Sequence, residues 1–364
     1  MNLTNNNVDI HCSVIDNYGD AGIALRLANN YSEVFPLAEV RVFIDDLIVL
    51  NKIESLINPD LKSQIIHNVL FVDVNKVDMN SISPASLVIT LLQTPLPEGY
   101  HQKVLIESQL IIIIEGISAE KWVKEIHGSQ SYSGGKALKF FYIPGFSADS
   151  GGLLFGNESK SRINDFLNHF DLFPSSDFLS GVLFHYGDDL NVMLECLNVQ
   201  KKDIYLFVCG EKSQNAIKKI DLKQGSLKLL YPKFYNQSDF DDLLKSSDFN
   251  FIRGEDSLIQ AINAQNPLFW QIYSQADSAH LAKLDAFLGV LELNFSDQKL
   301  FNDYKKLMFY YNGVSKLNRS EIEDIIYSFM NNLDKIRAIF QQLRKDLLVK
   351  GNLIERLIKF IEQI

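Results

Sequence analysis

Short runs of Val, Ile, Leu and Phe recur along the first half of the chain and alternate with longer segments in which apolar residues have helical spacing. Such runs are typical of parallel strands that helices bury on both faces. A first helix is predicted at Ala21–Tyr31. The predicted strands of this half are Val8–Ile15, Val40–Ile44, Val69–Val74, Leu87–Leu92, Leu110–Glu115 and Leu138–Ile143.

The same alternation starts again after Phe173–Ser176. This restart predicts two Rossmann-like α/β domains, 1–175 and 176–351, that face each other across a cleft. A last helix over 352–364 follows Gly351, and we expect it to pack back on the first domain. The predicted strands of the second half are Val182–Tyr186, Ile204–Cys209, Leu227–Leu230, Phe249–Ile252 and Leu268–Tyr273.

Length and charge agree with this division and exclude some functions. A chain of 364 residues is longer than one hydrophobic core usually supports. The formal net charge of −10 disfavours a nucleic-acid-binding surface, because phosphate binding needs clustered Lys and Arg. The N-terminus lacks a basic and then apolar leader, and the longest apolar run, Leu110–Ile114, is too short to span a bilayer. We therefore expect neither secretion nor membrane insertion.

The cysteines point to a reducing compartment. Cys12, Cys196 and Cys209 are odd in number and have no CxxC spacing, which disfavours a disulfide framework and a thiolate zinc site. We therefore expect a cytoplasmic protein.

The motif VIDNYGDAG, residues 14–22, follows the first predicted strand. It places Asp16 and Asp20 on one polar loop, in which Gly19 and Gly22 permit sharp backbone turns. The two glycines do not form a GxGxxG fingerprint, so NAD binding is disfavoured. The pattern alone leaves open a simple turn in which Asp20 caps the helix.

A second motif, RGEDS, directly follows a predicted strand and opens a helix. Free N–H groups at a helix N-terminus, the planar cation of Arg253 and the hydroxyl of Ser257 would suit a diphosphate. An Asp or Ser cap beside an exposed arginine remains the alternative.

Two further stretches offer contacts to a ligand. Phe184 and Tyr186 end a strand, and Phe234 and Gln237 precede a helix at Ser238, so aromatic rings could stack on a base while an amide reads its edge. Core packing is the alternative for these aromatic residues. The loop PGFSADSGGLL carries Gly151 and Gly152, which could approach a sugar or phosphate closely or form an ordinary surface turn.

No metal site is predicted. Asp239 and Asp241 have DxD spacing, but they lie at the start of an amphipathic helix, where acidic residues are expected. Histidines such as His11, His67 and His280 show no HxH or HExxH spacing, which favours core or surface roles.

Taken in order, these stretches closely resemble the elongation factor P arginine rhamnosyltransferases, the EarP family. The likeness rests on DNYGD, the Pro-Gly-Phe loop with its double glycine, the Phe-x-Tyr strand end, Gln237, RGEDS and PLFWQIYSQADSAHLAKLDAFL, and it runs from about Val8 to Leu288. The resemblance implies a GT-B fold and an inverting transfer of L-rhamnose from dTDP-β-L-rhamnose. The implied acceptor is an arginine guanidine nitrogen of elongation factor P, which serves translation of polyproline stretches. The resemblance implies no metal and no further cofactor.

The resemblance also implies a role for each matching residue. Asp16 and Asp20 take the catalytic positions, with Asp20 preferred as the base. Glu255 takes the position of a second functional acid near the sugar or ribose. Asn17, Tyr18 and Gly19 complete the first loop. Phe184, Phe234 and Gln237 fall on thymine-contacting positions, while Tyr186, Arg253, Asp256 and Ser257 fall near the diphosphate. The chain departs from many family members at Ala24, Leu25 and His185, where tryptophan or cysteine is frequent.

The predicted chemistry explains why carboxylates are needed. An arginine guanidinium is protonated and its lone pairs are delocalised, so it is a poor nucleophile. One carboxylate can orient it by paired hydrogen bonds while another takes the proton. A GT-B transferase with another nucleotide sugar or acceptor and a sugar-nucleotide epimerase remain enzyme alternatives, and a partner-binding scaffold without turnover is the non-enzyme alternative. The polar motifs disfavour a scaffold.

Overall fold

The computed structural model describes residues 3, 5–15, 18–156, 161–174, 177–186, 190–274 and 279–364. The chain forms two compact units. Unit 1 combines Met1–Phe155 with Leu347–Ile364, and unit 2 is Gly156–Asp346. No helix in the described part of the chain is both long enough and apolar enough to cross a membrane.

Each unit is built on one largely parallel sheet. In unit 1 the strand order is β3-β4-β2-β1-β5-β6-β8-β7, with β3 and β7 antiparallel at the two edges, and in unit 2 it is β11-β10-β9-β12-β13, all parallel. The strands are β1 (Val8–Cys12), β2 (Val40–Ile44), β3 (Ser63–Ile66), β4 (Val69–Asp73), β5 (Leu87–Leu91), β6 (Leu110–Ile114), β7 (Gln130–Ser131), β8 (Leu138–Tyr142), β9 (Phe178–Leu183), β10 (Asp203–Val208), β11 (Leu227–Leu230), β12 (Phe249–Arg253) and β13 (Leu268–Gln271).

Helices fill the connections between strands and form the C-terminal part of the chain. The described helices are α1 (Tyr18–Val34), α2 (Leu47–Ile53), α3 (Glu98–Glu107), α4 (Val123–Ile126), α5 (Ile163–Asn168), α6 (Asn191–Leu197), α7 (Glu211–Ile217), α8 (Gln237–Ser246), α9 (Glu255–Ala264), α10 (Ala279–Glu292), α11 (Gln298–Tyr311), α12 (Arg319–Asn331), α13 (Leu333–Val349) and α14 (Leu353–Gln363), together with a 3₁₀ turn at Met79–Ser81.

Each predicted strand is present, whereas β3 and β7 were not predicted. Most predicted strands end a residue or more too late, because the pleated pairing stops where the chain turns toward the next helix. In β3 the side chains alternate between exposed and half-buried, and Ile65 is on the exposed side. A short edge strand of this kind lacks the continuous apolar run that marks the central strands.

The core of unit 1 includes residues from the end of the chain. Leu353, Leu357 and Ile361 lie on one face of α14 and are buried together with Val8 of β1 and Leu25 of α1. Their spacing is that of an amphipathic helix. The last helix is thus part of the unit 1 core.

The first division between the units lies earlier in the chain than the predicted boundary at 175/176. It lies at Phe155/Gly156, and the intervening segment carries α5. The ring of Phe166 in α5 contacts Phe207 and Tyr235, edge to face, with centroid distances of 6.4 and 5.6 Å. These aromatic contacts attach the segment to unit 2.

Arg356 of α14 holds the loop 144–154. Its Nη1 donates hydrogen bonds to the backbone oxygens of Ser147 (2.8 Å) and Ser150 (2.7 Å), and its Nε donates to that of Gly351 (3.0 Å). One half-buried side chain therefore satisfies carbonyl groups of the loop and of the turn before its own helix.

We expect Arg356→Met to lower the free energy of unfolding by about 2 kcal/mol, since charged hydrogen bonds to half-buried carbonyl groups are lost. Denaturation in urea would measure this change. Lys359→Met is the control, because Lys359 lies exposed on the same helix. Equal stability of the two variants would contradict the role given to Arg356.

Candidate active site

The strand order in the sheet of unit 1 reverses at β1. The strands β2 and β4 continue on one side, and β5, β6 and β8 continue on the other. In open α/β sheets such a switch point leaves a crevice at the carboxyl ends of the strands, where ligands bind. The segment after β1 leaves the sheet at this point. Two predicted site residues in it, Asp16 and Asn17, lie outside the described residues.

Three side chains fix the chain as it leaves β1. The backbone N–H groups of residues 13–15 donate in turn to Thr94 Oγ1 (2.9 Å), Asp45 Oδ1 (2.8 Å) and Asp20 Oδ2 (2.8 Å). Thr94 follows β5, Asp45 follows β2 and Asp20 lies in α1. The segment is therefore tied to both neighbouring strands. No sequence motif marks Asp45 or Thr94, although each follows a predicted strand closely.

Asp20 lies in the first turn of α1 and is buried. A carboxylate in the first turn is favoured by the helix dipole. Asp20 accepts its hydrogen bond from Ile15, ahead of the helix, so it anchors the incoming segment. Burial raises the pKa of the Cys12 thiol, and the charges of Asp20 and Asp45 raise it further.

The predicted sharp turn at Gly19 and Gly22 is wrong. Tyr18 and both glycines belong to α1, which begins before the predicted start at Ala21. Neither glycine is among the described residues with a positive φ angle. Helical spacing over the whole segment outweighs the turn preference of glycine here.

Packing within unit 1 explains the double glycine of the loop 144–154. A Cβ on Gly151 would lie 2.4 Å from the ring of Tyr142. Gly152 has a φ of +73°, and a Cβ there would lie 2.8 Å from Cδ of Arg356. Both positions thus exclude a side chain because the protein itself occupies the space. Approach to a sugar or phosphate stays a prediction.

Unit 2 has its own switch point, at β9. The strands β10 and β11 continue on one side of β9, and β12 and β13 continue on the other. Phe184 and Tyr186 follow β9, and Arg253 ends β12, the strand paired with it. Three of the predicted donor residues therefore lie at the carboxyl ends of two adjacent strands.

Two aromatic rings hold the guanidinium group of Arg253. Its Cζ lies 4.1 Å from the ring centroid of Phe184 and 4.6 Å from that of Tyr186, and its Nη1 donates to the backbone oxygen of His185 at 2.8 Å. Such cation–π contacts stabilise the cation and restrict its movement. Arg253 is therefore a fixed positive charge at the switch point.

These contacts change the interpretation of Phe184 and Tyr186. The strand ends at Leu183, before the predicted end at Tyr186, and the N–H groups of His185 and Tyr186 donate to side-chain oxygens of Ser213 (2.8 Å) and Gln271 (2.7 Å) instead of to the backbone ladder. One face of each ring contacts Arg253. Stacking of Phe184 on a base stays a prediction, and the structure gives the ring a role in holding Arg253.

Gly210 also belongs to this region, although it was not among the predicted site residues. It follows β10 with a φ of +78°, and a Cβ on it would lie 2.6 Å from Cε2 of Phe184. Phe240 packs edge-on against the same ring, with centroids 5.6 Å apart. Gly210 and Phe240 thus set the position of Phe184. A glycine directly after a predicted strand was the available signal.

The helix α9 begins with Gly254 as its N-cap, at a φ of 78°. The N-cap residue is thus a glycine, and not the Asp or Ser of the alternative that the sequence left open. Glu255 forms an ion pair with Lys283 of α10. Asp256 and Ser257 lie half-buried in the first turn.

Phe234 and Gln237 lie at the start of α8. Phe234 is 49% exposed, and Gln237 is the first residue of the helix. Asn236 caps the helix by accepting a hydrogen bond from the N–H of Asp239 at 2.8 Å. An exposed ring and an amide therefore follow β11 within a few residues of each other in the chain.

The acidic residues of α8 do not form a cluster with other ligating groups. Burial raises the pKa of Asp239, and the charge of Asp242 adds to this effect, while Asp241 is buried. Within the described ranges, no group of three His, Cys, Asp or Glu residues could hold a metal ion. His11 is a core residue, stacked on Phe43 at 4.7 Å, and burial lowers its pKa to about 4.

Sequence comparisons relate nearly the whole chain to one family. A family model described as "Elongation-Factor P (EF-P) rhamnosyltransferase EarP" matches residues 8–362. A protein-arginine rhamnosyltransferase of Pseudomonas putida is 32% identical over 316 residues, which cover 79% of this chain and 82% of the relative. A protein-arginine rhamnosyltransferase of Shewanella oneidensis is 27% identical over an alignment of 393 residues, which covers 98% of this chain and 97% of the relative.

Structural comparisons agree with the observed architecture. A structure described as the "Structural basis for EarP-mediated arginine glycosylation of translation elongation factor EF-P" has a TM-score of 0.63 at 20% identity and covers 98% of both chains. A putative UDP-N-acetylglucosamine 2-epimerase from Listeria monocytogenes has a TM-score of 0.51 at 11% identity and covers 93% of this chain and 91% of its own. At such identities the likeness concerns the fold, and it confirms the predicted α/β GT-B fold.

Proposed function

The chain belongs to the EarP family of protein-arginine rhamnosyltransferases, and from this premise we propose that it transfers L-rhamnose from dTDP-β-L-rhamnose to an arginine of elongation factor P. It is a glycosyltransferase. The family match over residues 8–362 is the observation that carries the proposal. Elongation factor P acts in translation, so the proposed location is the cytoplasm.

We propose that unit 1 binds and activates the acceptor arginine. A guanidinium nitrogen becomes a nucleophile only when its proton is removed as the new bond forms. Asp20 carries a carboxylate at the switch point beside β1, where ligands of such sheets bind. In the proposed step the guanidine nitrogen attacks the anomeric carbon, the bond to the diphosphate oxygen breaks with inversion, and Asp20 receives the proton. Asp16 is proposed to orient the guanidinium.

The donor half is proposed for unit 2. The diphosphate gains negative charge as it leaves, and a preorganised cation stabilises such charge without reorganisation. The two rings and the carbonyl group that hold Arg253 give it this preorganisation. The N-terminus of α9 would add N–H donors. We propose that Phe184, Phe234 and Gln237 contact thymine, that Tyr186, Asp256 and Ser257 lie near the diphosphate, and that Glu255 lies near the sugar or ribose, with no metal or further cofactor.

Incubating the purified protein with elongation factor P and dTDP-β-L-rhamnose is expected to add one deoxyhexose to a single arginine. Intact-mass analysis followed by peptide mapping would detect it. The same increment is expected with EDTA, because Arg253 and α9 supply the proposed positive charge.

Replacement of the donor by a uridine diphosphate sugar is the control, and it is expected to give no increment. This result would also disfavour an epimerase or a transferase with another donor. No increment with both proteins folded would overturn the assignment. Loss of transfer in EDTA that Mg²⁺ restores would instead return Asp239 and Asp241 as candidate ligands.

A further inference from the structure

Glu115 lies at the carboxyl edge of the unit 1 sheet. It directly follows β6, which pairs with β5 on one side and with β8 on the other. Its N–H donates to the backbone oxygen of Tyr142 at 3.1 Å, so the backbone is fixed where the strand ends. The residue therefore lies on the same edge of the sheet as the segment that carries Asp20.

The carboxyl group of Glu115 is half-buried, and its partner is an amide. The side-chain amide of Gln93 is close enough to lower its pKa, and no described lysine or arginine forms an ion pair with it. Burial raises the pKa of Glu115, and the amide of Gln93 opposes this rise. Taking a carboxylate out of water without a cation is unfavourable, and such groups cluster at functional sites.

A strained turn connects Glu115 with the segment that Asp20 anchors. Leu92 and Gln93 have φ angles of 50° and 57°, a left-handed conformation that is uncommon for residues other than glycine. The N–H of Leu92 donates to the oxygen of Ile114 at 2.8 Å. Thr94, the next residue, accepts from Ser13 at 2.9 Å. The backbone is thus strained at the turn that carries Gln93, close to Glu115. Backbone strain of this kind is often found at functional sites.

We propose that Glu115 is a further acceptor-binding residue, whose carboxylate contacts the guanidinium of the acceptor arginine. A guanidinium carries five N–H donors in one plane, and two carboxylates can bind different edges of it. Asp20 supplies one carboxylate in the proposed function, on which this inference rests. Glu115 supplies the other from the far side of β5, and the arginine provides the cation that the described structure does not place beside Glu115.

Glu115→Gln tests the proposal, because glutamine keeps the size and removes the charge. The Michaelis constant for elongation factor P is expected to rise about tenfold or more, the scale of one lost charged hydrogen bond. Calorimetry should show weaker binding of elongation factor P in the absence of donor and unchanged binding of dTDP. Glu107→Gln is the control, since Glu107 ends α3 and is exposed.

Stability distinguishes substrate binding from a structural role. Because a neutral amide is easier to bury than an unpaired carboxylate, Glu115→Gln should be at least as stable as the wild type. A structural role predicts lower stability instead.

The pH profile adds a second criterion. The wild-type Michaelis constant for the acceptor should rise as the pH falls through the raised pKa of Glu115, because the carboxylate loses its charge, and this rise should be absent from the variant. Unchanged acceptor binding in the variant would overturn the role of Glu115 but not the proposed function. Absence of transfer by the wild type would overturn the proposed function.

Discussion

Asp20→Asn is expected to lower the rate of rhamnose transfer by about 100-fold or more, because asparagine cannot accept the proton of the guanidinium. The affinity for dTDP should stay within about threefold of the wild type, a change of only ~0.7 kcal/mol. The reason is that Asp20 belongs to unit 1, whereas the proposed nucleotide contacts belong to unit 2. Transfer rates and calorimetry with dTDP would measure the two quantities.

The side-chain oxygen of asparagine can still accept the hydrogen bond from Ile15, so the variant should remain folded. Asp46→Asn is the matched control. Asp46 caps α2 by accepting from the N–H of Val49, and asparagine is an equally good cap, so activity should not change. A folded Asp20→Asn protein with the wild-type rate would eliminate Asp20 as the base and leave Asp16 or Glu255 as candidates.

Arg253→Ala is expected to weaken dTDP binding by about 1 to 3 kcal/mol, or roughly 5- to 150-fold. The variant removes the cation that Phe184 and Tyr186 hold at the carboxyl ends of β9 and β12. Calorimetry with dTDP would measure the change. Arg253→Lys should give an intermediate loss, because an ammonium keeps the charge but cannot stack as a planar group between two rings.

Arg319→Ala is the control for these variants. Arg319 is also in unit 2, but it lies on the surface in ion pairs with Glu195 and Glu323, so dTDP affinity should not change. Wild-type affinity in Arg253→Ala would remove Arg253 from the donor site. Equal losses in the alanine and lysine variants would instead show that the planar guanidinium is essential.

Two predicted strands, Val40–Ile44 and Leu227–Leu230, coincide with β2 and β11, because in each the last apolar residue of the segment is also the last paired residue. The edge strand β3 was missed because its side chains are partly exposed. The start of α1 was placed too late because Gly19 and Gly22 were interpreted as turn residues, although the helix accommodates both.

The candidate site was predicted only in part, and the reasons are physical. Asp20 and Arg253 were identified because each lies at or just after a strand, and the family resemblance gave them roles. Glu115 also follows a strand, but a single glutamate outside any recognisable motif does not indicate a functional site. The left-handed conformation of Leu92 and Gln93 depends on contacts with β6 and the segment after β1, which no local pattern encodes.

The position of α14 has a consequence for how the chain acquires its structure during synthesis. Unit 2 is one continuous segment, and all of its residues are synthesised before α14. The core of unit 1 also requires Leu353, Leu357 and Ile361, which are synthesised after the whole of unit 2. Until then, the apolar surface of α1 and β1 that they cover stays open to solvent and to chaperones. Unit 1 is therefore expected to complete its core only after unit 2 has been synthesised, and a ribosome that stops before α14 would release a protein whose unit 1 is a substrate for degradation.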